Sequence, residues 1–195
     1  MTQTRTLILA GVALASLGLS ACGGIVLAPA GAYAVGEGSH VTLNRAWNDF
    51  TPITGLKKVR LLTIDGPLLN RLYLTEGLVA GDAIVPPQSR KEATTPTFNP
   101  AMTVTEQVEF VANSVTAMEF EQVATSGVRP VQINGVRGVR FDIDAATKSG
   151  LVIKGRGQAV KQDGKLYVAI YLAPAEHYFA NDLASAEAVM DTVAF

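Results

Sequence analysis

The 195-residue chain sets 16 Lys and Arg against 17 Asp and Glu, a formal net charge of −1, and this near balance excludes nucleic-acid binding driven by bulk charge. Its single cysteine excludes a disulfide framework and a thiolate metal cluster. With 48% hydrophobic and only 17% charged residues, it has the apolar content for one sizeable core.

The N-terminal stretch decides where such a chain would live. One cation, Arg5, precedes an apolar run from Leu7 to Leu19, shorter than the roughly 17 to 25 residues that span a bilayer. The layout is that of a signal peptide. Leu19, Ser20, Ala21 and Cys22 then resemble a bacterial lipobox, in which a thiol is needed because a soft nucleophilic sulfur makes the stable thioether to lipid. The resemblance implies a signal peptide over 1–21 and lipid attachment, palmitate included, at Cys22. Gly23, standing where an Asp would favour inner-membrane retention, implies sorting to the outer membrane, facing the periplasm. Removal of residues 1–21 costs only the charge of Arg5, leaving 15 cations against 17 acids. Two or three acyl chains at one residue would make release negligible, at about 0.8 kcal/mol per buried methylene.

Residues 22–38 read as the lipidated cysteine and a Gly- and Ala-rich tether, with a single α+β domain over 39–195. Ile25, Val26, Leu27 and Tyr33 are too apolar for a fully solvated linker, which leaves burial among headgroups and docking on the domain both open. Val41 to Trp47 alternates as a strand, with Trp47 as a core or rim anchor. Val59 to Ile64 is a second strand ended by Asp65 and Gly66. Leu68 to Leu78 and Ala83 to Val85 suggest an antiparallel edge or a long bent hairpin. Pro86 to Pro100, with four prolines and Arg90, Lys91 and Glu92 in a row, reads as a connector loop.

Thr103 and Glu106 have the spacing of a capping box. Val104, Val108, Val111, Val115 and Met118 form one helical stripe behind it. Strands dominate after Phe120. Turns at Asn134–Gly135, Ser149–Gly150 and Asp163–Gly164 divide the segment into a four-stranded antiparallel meander. Leu183, Ala186, Met190 and Val193 mark a last helix, for which Asn181 or Asp182 is the expected cap. The fold class is α+β: an antiparallel sheet of six to seven strands flanked by two main helices.

Trp47–Asn48, the run Asp65 to Asn70, Ala101–Met102–Thr103, and Ala173–Pro174 followed by His177, Tyr178 and Phe179 carry a resemblance to a family of uncharacterised proteobacterial lipoproteins. A more distant likeness is to the small helix-flanked antiparallel sheets of PsbP proteins. Neither lends an activity; the second implies a shape.

Catalytic sets are hard to assemble. There are two histidines, His40 and His177, no G-x-S-x-G elbow and no H-E-x-x-H pair; no metal site and no cofactor are implied. Arg140, Asp142 and Asp144 share a strand face and read as a solvated polar surface compensated by Arg140. Gly155 and Gly157 read as close-packing positions in a strand. Asp65 and Asn70 are expected to bond local backbone N–H groups. The candidate ligand or partner surface comprises Trp47, Asp65, Asn70, His177 and Tyr178, where the Asp65 turn would approach the junction of sheet and helix. The leading functional expectation is a noncatalytic binding or envelope-assembly module, held to the membrane through Cys22 and meeting an envelope protein partner. The alternatives are a periplasmic hydrolase using His177 and a carrier of lipid or small hydrophobic ligands.

Overall fold

The computed structural model describes residues 24–86 and 95–195. Cys22 and residues 87–94 of the expected connector lie outside the described residues. In chain order the elements are β1 (Val26–Ala28), β2 (Gly31–Gly36), β3 (Ser39–Leu43), β4 (Trp47–Asp49), α1 (Thr51–Thr54), β5 (Val59–Thr63) and β6 (Arg71–Thr75). The second half adds α2 (Val104–Ala117), β7 (Glu121–Ile133), β8 (Val136–Ala146), β9 (Val152–Gln162), β10 (Lys165–Pro174) and α3 (Tyr178–Met190).

Eight strands make one antiparallel sheet in the order β1-β4-β5-β6-β10-β9-β8-β7, and β2 with β3 forms a separate pair. The meander β7 to β10 is present as expected. Asn134 and Gly135 both take positive φ, as do Asp163 and Gly164, the backbone that two-residue hairpin turns require. The fold class is therefore α+β.

β10 lies near the middle and is buried on both faces. Leu166, Val168, Ile170 and Leu172 point into one apolar layer, and Tyr167, Ala169, Tyr171 and Ala173 into the other, the period of two that a pleated strand imposes. The first layer is closed by α2 through Val108, Phe110, Val111 and Val115. The second is closed by α3 through Ala186, Val189 and Met190, with Val35, Val41 and Leu43 of the β2–β3 pair. The architecture is three-layered, with the sheet between α2 on one side and α3 with β2–β3 on the other.

Several expectations change in detail. The tether is strand from Val26: β1 pairs with β4, and Ala28 and Val35 are buried, so the folded domain starts well before residue 39. The strand expected over 41–47 breaks after Leu43 and resumes at Trp47 on the main sheet. β6 is not an edge; it pairs with both β5 and β10, joining the N-terminal strands to the meander. The connector is anchored by Phe98, which is buried and exchanges backbone hydrogen bonds with Gly81 and Asp82. The capping box forms, with the Thr103 N–H donating to the Glu106 carboxylate at 2.7 Å, while Val104 is exposed rather than part of the buried stripe. The last helix starts at Tyr178, three residues before Asn181 and four before Asp182, after a positive φ at His177.

Candidate functional site

The turn after β5 and the second turn of α3 meet over the sheet face. Asn70, 1% exposed, is their hub. Its side-chain Oδ1 accepts from the Thr63 hydroxyl and the Ile64 N–H, both at 2.7 Å, and from the Asp65 N–H at 3.3 Å. Its Nδ2 donates to Asp65 at 2.8 Å and to Asp182 at 3.1 Å. The expected local Asx bonding is therefore found at Asn70, and the same amide ties together two carboxyl groups 117 positions apart in sequence.

Asp182 is one of the two residues, with Asn181, expected as the helix cap. It is instead buried inside the first turns of α3, and its carboxyl spends its oxygens on Asn70 and on Arg45, whose Nη1 lies 3.9 Å away. Burial first, then the hydrogen bond and charge of Asp65, hold its pKa above the usual carboxylate range; Arg45 and Asn70 oppose the shift. Burial makes the charged form of Asp182 costly, which is why its proton is held more tightly than a free carboxyl's. Tyr171, packed beneath, has its phenol pKa raised by burial and by the nearby Asp182 and Asp65, and its hydroxyl donates to the Tyr178 carbonyl at 3.2 Å. Phe179 stacks on the Tyr171 ring with centroids 5.9 Å apart.

The five candidate residues separate. Asp65 and Asn70 meet through the Asn70 Nδ2, which donates to the Asp65 carboxylate. Tyr178 is half-buried against α3's layer, and the exposed His177 meets it edge-on while its Nε2 pairs with Asn181 at 3.1 Å. The Asp65 carboxylate accepts from Asn70, and the His177 ring pairs with Asn181 of its own helix. Trp47 is fully buried in the second core layer, an anchor and not a surface contact. Arg45 and Asp182 complete the constellation and were missed: Asp182 looks like a cap in sequence, and Arg45 looks like an ordinary strand cation.

The two other sequence features turn out to be structural. Asp142 is matched by Arg129 and Arg156, Asp144 by Lys154, and Arg140 by Gln158 and Asp191, so the polar face is neutralised pair by pair and not by Arg140 alone. A Cβ on Gly157 would enter the ring of Phe141, its cross-strand partner; the glycine is there for close packing. Among the described residues no group of three His, Cys, Asp or Glu side chains converges on a point suited to a metal ion.

No family model matches the chain, and no curated protein matches it. Among solved structures, the solution structure of cyanobacterial PsbP (CyanoP) from Synechocystis sp. PCC 6803 superposes with a TM-score of 0.55 at 11% identity, over 93% of this chain and 99% of that one. The chain thus has a distant PsbP-like fold, and at that identity the likeness extends to the fold alone.

Proposed function

We propose that the protein is an outer-membrane lipoprotein, acylated on Cys22 and facing the periplasm, whose domain is a noncatalytic binding or assembly module. The observation that carries this reading is the meeting of lipobox and fold. Only three residues, Gly23 to Ile25, separate Cys22 from β1, a reach of at most ~11 Å when extended. Ile25, Val26 and Leu27 are 54%, 52% and 65% exposed, an apolar run at the point where the acyl chains would enter the bilayer. Such a domain is pulled against the headgroups and buries this run there. The noncatalytic part is supported by the commitment of Asp65 to Asn70 and of His177 to Asn181.

Metabolic labelling with palmitate in a Gram-negative host tests the anchor. Wild type takes the label and co-sediments with outer membrane, Cys22→Ser takes none, and Gly23→Asp moves the labelled protein toward inner-membrane fractions. An unlabelled wild type, or a Cys22→Ser variant labelled as strongly, overturns the reading.

A further inference from the structure

A helix rises about 1.5 Å per residue and a strand about 3.3 Å. The 14 residues of α2 therefore cover much less length than the 13 residues of β7 against which they pack. The α2 face of the β7–β8–β9 sheet runs on past the helix start, and a groove of about 480 Å³ opens there, within the size range of small-molecule sites. Pro130 and Val139, directly paired across β7 and β8, make its floor, and Met102 and Val104 its wall. Val104 and Val128 are more than half exposed.

Its rim is basic on the α2 face through Arg137 and Lys161, and no Asp or Glu lines it. Arg129 contributes its backbone there, since its guanidinium is turned to Asp142 on the opposite face of the sheet, and Lys161 donates to the Pro100 carbonyl at 3.1 Å. Arg137, exposed on β8, has no carboxylate partner among the described residues. The acid nearest in sequence to the wall, Glu106, is turned back onto the Thr103 N–H.

An apolar floor beside Arg137, which has no carboxylate partner among the described residues, calls for a ligand having both an apolar body and a negative end. We infer that this groove binds a free fatty acid, its chain on Pro130 and Val139 and its carboxylate at Arg137 and Lys161. A peptide is disfavoured by the floor itself. β7 and β8 spend their backbone groups on each other there, so a peptide laid on this face would bury amides without partners, whereas an acyl chain has none to satisfy. The inference builds on the proposed binding module and names one of its ligands.

The test uses the full-length protein in isolated host membranes, without detergent. A diazirine-bearing C12 fatty acid is added, the sample irradiated, and crosslinks mapped by mass spectrometry. Crosslinks are expected on peptides spanning 102–107 and 128–139, competed by dodecanoate and not by dodecyltrimethylammonium. Arg137→Glu and Val128→Glu, both at exposed positions, should each lower them at least fivefold, and Arg137→Lys should retain them; protease resistance of the domain reports folding. Equal crosslinking by the methyl ester, indifference to Arg137→Glu, or preferential labelling by a diazirine phosphatidylglycerol would overturn the inference. Acylation of the Cys22 peptide is read in the same digest, so failure of the anchor and failure of the groove are told apart.

Discussion

Asp182 is the residue on which the Asp65 turn and α3 depend for their polar contact, and its charge state sets a pH dependence. Its folded-state pKa is raised, chiefly by burial and then by Asp65, so the native state holds the proton more tightly than the unfolded chain. The corresponding stability is present in full below the ordinary carboxylate range and is lost as pH rises through the raised folded value. Asp182→Asn cannot lose that proton. Its amide oxygen still accepts from Asn70, and its NH₂ can donate to Asp65. Thermal melts should therefore coincide for variant and wild type near pH 4 and favour the variant at pH 8. A wild type that melts higher at pH 8 would mean that the Arg45 contact at 3.9 Å outweighs burial.

Among the elements, β9 shows how a residue pattern with two readings resolves. Gly157 faces Phe141 in register, and the ring, itself 0% exposed, fills the space a side chain would take. Gly157→Ala must displace that ring, an overpacking that costs about 1–3 kcal/mol; urea titration should show a lower midpoint with an unchanged slope. The meander was legible because its turns carry Asn-Gly and Asp-Gly, whose backbone geometry is local. So was the start of α2, since a capping box is satisfied within four residues. β1 and β2 were not legible. β1 is only three residues long and β2 is rich in Gly and Ala, and they become strands only because β4 and β3 offer them partners. The same holds for the site: Asn70's bonds to Ile64 and Asp65 follow from local turn chemistry, whereas its bond to Asp182 spans 112 positions and is set by how α3 lands on the sheet.

Over the whole molecule, both apolar layers rest on one sheet, and β10 belongs to each. Its residues from Leu166 to Pro174 are all buried, and it is hydrogen-bonded to β6 on one side and β9 on the other. The strands at the two ends of the order differ. β1 has three residues and exposes two of them, and β7 is interrupted by two register shifts, one on each side of the Ala124–Ser126 pairing, irregularities that blunt an edge against pairing with another chain. Opening β10 requires breaking both layers at once, while β1 and the irregular part of β7 can detach with most of the core intact. In native-state hydrogen exchange, the amides of Val168 to Leu172 should therefore exchange only through global unfolding and follow its denaturant dependence. Those of Val26 to Ala28 and of Gln122 to Gly127 should exchange orders of magnitude faster and with little denaturant dependence. Protection in β1 equal to that in β10 would mean that the N-terminal strand belongs to the cooperative core, and the domain would then be joined to the proposed Cys22 anchor by a part of the fold that cannot peel away.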